Sequence, residues 1–151
     1  MNGEFFSKKE ASISVFDRGF LFSDSVYEVT AVLDGKLVDW KEHFARLIRS
    51  LDHLNLKNNF QEEDFYQIQR ELINENQLKE GLCYVQVTRG VAERDFNFAK
   101  KSLLPTVVIF TQEKQILNNV ASKVGIKIIT VPDDGWQRRD IKTTQLLAQS
   151  L

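Results

Sequence analysis

The sequence contains a single cysteine, Cys83, which excludes an internal disulfide. It lies in the apolar run Leu82-Cys83-Tyr84-Val85, which reads as a buried strand where a thiol behaves as a small hydrophobe. Histidine is scarce too. His43 and His53 have no cysteine near them, so there is no clustered Cys/His pattern and no metal site is expected. Neither sign of charge dominates: 20 basic residues stand against 21 acidic ones, a formal net charge of -1. Such a chain has no global field drawing it to nucleic acid or anionic lipid, and nucleic acid is not an expected partner. Residues Met1 to Glu10 lack the apolar core of a signal peptide, and no apolar run approaches membrane-spanning length. The expectation is a cytoplasmic protein with no membrane contact. Gly35, Gly81, Gly90, Gly125 and Gly135 are scattered singly at turns, which excludes a phosphate-cradling glycine loop. Internal repeats, low-complexity stretches and flexible linkers are also missing.

What remains is an ordinary globular composition, 42% hydrophobic and 27% charged over 151 residues, long enough to bury a core. Ala11 to Val15 is a short candidate strand, ended by the turn Asp17-Arg18-Gly19. Val26 to Leu33 is rich in β-branched residues, Asp34-Gly35 is a two-residue hairpin signal, and Lys36 to Val38 should return beside it. Lys41 to Leu54 places Phe44, Leu47, Ile48, Leu51 and Leu54 at helical spacing; Glu62 to Asn76 does the same with Phe65, Ile68, Leu72 and Ile73. The acidic first turn of the second helix, Glu62-Glu63-Asp64, complements its dipole. Three more strands are expected at Leu82 to Thr88, Thr106 to Thr111 and Gly125 to Val131. Neither helix can hide its stripe alone, so both should pack on the sheet. The fold class is α+β, an antiparallel sheet carrying two amphipathic helices.

The stretch with chemical potential is the last one, Gln137-Arg138-Arg139-Asp140-Ile141-Lys142-Thr143-Thr144 and the leucine-rich, helical-looking run to Leu151. A lysine beside other cations and partly withdrawn from water has its neutral amine favoured by both effects. A neutral amine is what a nucleophile acting on carbonyls needs, although most lysines are plain surface groups. Tyr27 shares one strand face with Val29 while Glu28 and Thr30 share the other, and periodicity alone makes Tyr27 an ordinary half-buried aromatic. Arg46 falls about 200° around its helix from Phe44, off the apolar stripe, which leaves a solvated face or a cleft as its setting. His43 reads as a structural residue near a helix N-terminus, and Arg94 lies in the loop Val91 to Phe98.

Four segments together resemble the fold-type IV pyridoxal-phosphate enzymes, which include D-amino acid aminotransferases, branched-chain aminotransferases and aminodeoxychorismate lyases. They are Asp17-Arg18-Gly19-Phe20-Leu21-Phe22-Ser23-Asp24-Ser25-Val26-Tyr27-Glu28, Glu42-His43-Phe44-Ala45-Arg46-Leu47, Val85-Gln86-Val87-Thr88-Arg89-Gly90 and Arg139-Asp140-Ile141-Lys142-Thr143. The match runs from about Ser14 to the end and is nearest the D-alanine aminotransferase branch. The resemblance implies pyridoxal 5′-phosphate as cofactor, Lys142 as the Schiff-base lysine, and Arg46 as a contact to the cofactor phosphate. It further implies that Tyr27 and Arg94 orient an amino acid or 2-keto acid substrate, with Arg94 acting on the neighbouring subunit of a homodimer. The family's D-alanine branch has an Arg-x-His pair in that loop; here Arg94 matches the arginine and Phe96 stands at the histidine position.

The expected organisation is an N-terminal α+β domain over 1–131 and a lysine-bearing segment over 132–151 that leads into a second domain. That domain holds most of the phosphate in this family, so the chain by itself is expected to bind the cofactor poorly and to turn over no substrate. Transamination between an amino acid, D-alanine-like, and a 2-keto acid is the expected activity. An aminodeoxychorismate lyase on the same scaffold and a non-catalytic binding domain are the two alternatives.

Overall fold

A computed structural model describes residues 1–56, 60–98, 102–133 and 135–150. Asp134 of the Pro132-to-Gly135 break and Leu151 of the terminal leucine run lie outside the described residues. The elements are α1 (Arg18–Phe22), β1 (Ser25–Leu33), β2 (Lys36–Leu37), α2 (Trp40–His53), α3 (Glu62–Glu75), β3 (Glu80–Thr88), β4 (Val107–Glu113) and α4 (Val120–Val124). The strands form one antiparallel sheet in the order β2-β1-β3-β4. This is the α+β arrangement that the sequence pattern implies.

The hairpin forms where Asp34-Gly35 stands. Both residues have positive φ, 50° and 71°, the twist that a two-residue turn needs to return a right-twisted strand. All nine residues of β1 pair with β3, from Ser25 opposite Thr88 to Leu33 opposite Glu80. Period-two alternation then splits β1 into two faces. Val26, Glu28, Thr30 and Val32 are buried, and Tyr27, Val29 and Ala31 are half-buried.

The buried face meets α2 and α3. Val26, Val85 and Val87 from the sheet close on Trp40, Leu47 and Leu51 from α2 and Phe65 from α3. Each such side chain contributes roughly 1.5–3 kcal/mol of burial, which outweighs the weak intrinsic preference of a 14-residue helix. Ile141, 3% exposed, joins this cluster from the far end of the chain. Gly19 lets α1 approach the end of β3 closely, because a Cβ there would stand 2.3 Å from Thr88 Cγ2.

Three expectations fail. Ala11 to Val15 forms no strand; Ile13 and Val15 stay 46% and 65% exposed. Gly125 to Val131 forms none either, and Ile126, Ile128 and Ile129 are 75–88% exposed. Among the described residues neither segment finds a ladder, and alternation supplies a strand's pattern but not its partner. Leu147 to Ser150 make a turn, with Ser150 N donating to Leu147 O at 3.0 Å, rather than a helix. Leu147 is 74% exposed, so among the described residues an amphipathic helix there has no apolar surface to bury against. No helix among the described residues is long and apolar enough to cross a membrane.

Candidate active site around Lys142

The lysine segment docks as an added rung on β1. Tyr27 N donates to Lys142 O at 3.0 Å, Thr144 N donates to Ser25 O at 3.4 Å, and Thr143 bridges antiparallel to Val26. This is the edge that β2 occupies at the other end of β1. From α2, the Ser50 hydroxyl accepts from Lys142 N at 3.3 Å. Ile141 in the core on one side and Thr143, 5% exposed, on the other hold the register. Both backbone polar groups of Lys142 are therefore occupied, which leaves the side chain as its chemically available part.

That side chain runs to the half-buried face. Lys142 Nζ lies 3.9 Å from the centroid of the Tyr27 ring, inside cation–π range. Tyr27 stacks on Tyr84 at 5.7 Å and Tyr84 on Phe110 at 4.8 Å, an aromatic ladder across β1, β3 and β4. Burial pushes the Tyr84 hydroxyl up to about 12. It donates to Gln86 Oε1 at 3.0 Å, Gln86 Nε2 donates to Ser25 Oγ at 3.3 Å, and Ser25 Oγ meets Thr144 Oγ1 at 2.5 Å. This chain of side chains ties the aromatic ladder to the segment carrying Lys142. A cavity of about 480 Å³ opens on the same face, with Tyr84, Gln86, Phe110 and Thr144 in its wall. A larger one, about 1110 Å³, lies between the N-terminal segment, α3 and β4; Tyr27, Arg46, Arg94 and Lys142 do not line it.

The cations expected beside Lys142 are spent elsewhere. Arg138 pairs with Asp140 at 2.8 Å and Arg139 with Asp133, so neither guanidinium faces the amine unpaired.

On the opposite face of β1, Glu28 is 3% exposed at its side chain and is gripped by α2. Arg46 Nε donates to Oε1 at 2.6 Å and Nη2 donates to Oε2 at 2.8 Å. His43 Nδ1 lies 2.8 Å from Oε2 and, facing a carboxylate, acts as the donor. Burial pushes the Glu28 carboxyl up, but hydrogen bonds from Arg46 and His43 outweigh burial and leave it below the ordinary value. Glu28 in turn raises Arg46, with a smaller contribution from the Tyr27 hydroxyl. The Arg46 side chain stays 42% exposed, so an outer edge of its fork remains open to an anion while the inner edge holds Glu28. Arg46 sits one helical turn before Ser50, the residue that touches Lys142 N.

Arg94 is in the loop after β3. Its guanidinium lies 5.4 Å from the Phe22 ring and 4.9 Å from that of Phe96, and the two rings are 5.9 Å apart. The four residues expected at the site thus resolve into three places: Tyr27 with Lys142, Arg46 with Glu28, and Arg94 beside two phenylalanines.

A family model described as amino-transferase class IV matches residues 25–151. The chain belongs to the class IV aminotransferases. D-alanine aminotransferase of Staphylococcus aureus (strain MSSA476) is 38% identical over the whole chain, and that of Bacillus licheniformis is 35% identical over 97% of it. The chain spans about half the length of these curated relatives, 53% and 51%. Among solved structures, the branched-chain amino acid aminotransferase of Escherichia coli superposes with a TM-score of 0.71 at 18% identity, over 80% of this chain and 40% of that one. The 4-amino-4-deoxychorismate lyase of Pseudomonas aeruginosa gives 0.58 at 24% identity, over 70% and 37%. These two likenesses show the fold.

In this class IV chain, sequence reasoning did not find the supports of the site. Glu28, Ser50, Ser25, Gln86 and Thr144 were not singled out for a role, because each acts through a residue distant in sequence. The one available signal was Glu28 on the core-facing side of an apolar strand, since a buried carboxylate requires a cationic partner. Pyridoxal phosphate needs a primary amine for its aldehyde and a cation for its phosphate. Lys142 offers the amine and the open edge of Arg46 the cation, in two of the three places just described.

Proposed function

We propose that the protein to which this chain belongs is a cytoplasmic, homodimeric aminotransferase that uses pyridoxal 5′-phosphate. Its substrates are an amino acid of the D-alanine type and a 2-keto acid. The observation that carries the reading is Lys142, with both backbone groups bonded and Nζ on the Tyr27 ring. When bound, pyridoxal phosphate supplies the aldehyde and the electron-withdrawing ring. Lys142 Nζ would hold the cofactor covalently until the substrate amine displaces it, and the freed Nζ would then be the base that takes the proton from substrate Cα. The Tyr27 ring positions Nζ, and the outer edge of Arg46 would be the group that holds the phosphate. The buried carboxylate of Glu28 fixes the arginine's inner edge and so orients the fork. Arg94 receives the substrate carboxylate on the neighbouring subunit.

A second reading is the lyase activity known on this scaffold, favoured by Phe96 at the position where the D-alanine branch has histidine. The two are separated by assaying the full-length protein with D-alanine plus a 2-keto acid, and separately with aminodeoxychorismate. Amino exchange without pyruvate release from aminodeoxychorismate supports the aminotransferase. The reverse pattern establishes the lyase.

A further inference from the structure

Asp24 is 8% exposed at its side chain, and one of its oxygens, Oδ2, accepts from two arginines. Arg18 Nε donates to it at 2.8 Å and Arg89 Nε at 2.7 Å. Two guanidiniums on one buried carboxylate carry an excess positive charge, and their remaining donors must find oxygens. Those of Arg89 go to the end of α2, with Nη2 donating to Leu54 O at 2.9 Å and Nη1 to Asn55 O at 3.4 Å. Carbonyls at a helix C-terminus suit a cation. Those of Arg18 go to the loop after β3, where Nη1 donates to Asp95 O at 2.7 Å and to Asn97 O at 3.4 Å. The Phe98 ring is held by both, 4.2 Å from Arg89 Cζ and 5.5 Å from Arg18 Cζ. Arg18 also lies 4.7 Å from the Phe22 ring, whose neighbourhood Arg94 shares.

One carboxylate therefore joins the start of α1, the start of β1, the end of β3, the end of α2 and the loop bearing Arg94. The loop's own residues 93–98 are exposed, so burial does not fix its shape. Ala92 N donates to Phe16 O at 3.2 Å at the loop's start, and beyond it two carbonyl contacts and the ring of Phe98 reach back to Arg18 and Arg89.

We propose that Arg18, oriented by Asp24, is a positioning residue that sets the loop carrying Arg94 and thereby the affinity for the substrate carboxylate. The inference rests on the reading of Arg94 under the proposed function. Lysine at position 18 keeps the charge beside Asp24, but a single ammonium cannot reproduce the fork that spans Asp24 and the loop carbonyls.

The test uses the full-length protein and its Arg18→Lys variant, with Asp24→Asn as a second variant. The first readout is limited cleavage by trypsin after Arg94, which reports local opening of the loop. Cleavage there should accelerate at least tenfold while cleavage after Arg70 on α3 is unchanged. The second is transamination kinetics, where KM for the amino acid should rise about tenfold and kcat fall less than twofold. Unchanged cleavage after Arg94 together with unchanged KM overturns the proposal. Cleavage that accelerates equally at Arg70 also overturns it, since Arg18 would then support the fold in general. If the unsubstituted protein performs no transamination, it is the proposed function that fails, and the cleavage result still decides whether Arg18 sets the loop.

Discussion

Replacing Ile141 with alanine tests how Lys142 is held. Ile141 is 3% exposed and packs in the main core cluster, next to the lysine. The substitution removes three carbons, about 2.4 kcal/mol at roughly 0.8 kcal/mol per buried group, and a residual cavity brings the local loss to about 3 kcal/mol. That loss need not pass to the whole molecule. The segment meets β1 through backbone hydrogen bonds at Tyr27 N and Ser25 O and meets α2 through the Ser50 hydroxyl, and it can leave them while the sheet stays folded. Global stability should therefore fall by less than the local loss, with opening concentrated at 141–144. Hydrogen exchange reads this directly, because the Tyr27 amide donates to Lys142 O. Its protection should fall by up to about 100-fold, each tenfold being about 1.4 kcal/mol, while the amide of Val85 inside the β1–β3 ladder changes little. A full 3 kcal/mol loss in denaturant unfolding with Tyr27 protection unchanged would refute the account of a separately docked segment.

Glu28→Gln should cost about 2 kcal/mol at pH 7, a buried ion-pair loss discounted for the 42% exposure of Arg46. The folded Glu28 carboxyl sits below its ordinary value, so its stabilisation is present above the ordinary carboxylate range and disappears as pH falls through the lowered value. Urea unfolding at pH 7 and pH 3 should accordingly show the variant's deficit shrinking in acid. Burial pushes the Cys83 thiol up to about 12, so at pH 8 an aromatic disulfide reagent should label it only as fast as the protein unfolds. Labelling of the native protein as quick as in denaturant would place Cys83 outside the core. Gly19→Ala would set a Cβ 2.3 Å from Thr88 Cγ2, and thermal unfolding should show a loss of about 1–3 kcal/mol.

The features legible in the sequence are those set by near neighbours. Asp34-Gly35 carries its turn geometry in two residues, and α2 and α3 carry their stripes in a spacing that needs no knowledge of the partner. The lysine segment was legible by resemblance, and its place beside Tyr27 then emerged only in the fold. Pairing lay beyond reach. The alternating isoleucines 126 and 128 have a strand's pattern, yet a ladder depends on which other strand is free. Glu28 and Arg46 stand 18 positions apart, and nothing in their local sequence marks them as partners. Arg138 and Arg139 failed as electrostatic neighbours of Lys142 for the same reason. Side-chain direction sent both to aspartates, a choice that adjacency in sequence does not reveal.

The central claim is that Lys142 is the residue that holds pyridoxal phosphate. The most direct measurement is borohydride reduction of the cofactor-loaded full-length protein, followed by protease digestion and mass mapping of the attached pyridoxyl group. The group should be found on the peptide containing Lys142 and be lost in Lys142→Ala. Stoichiometric attachment at any other lysine, or attachment that survives Lys142→Ala, would contradict the account.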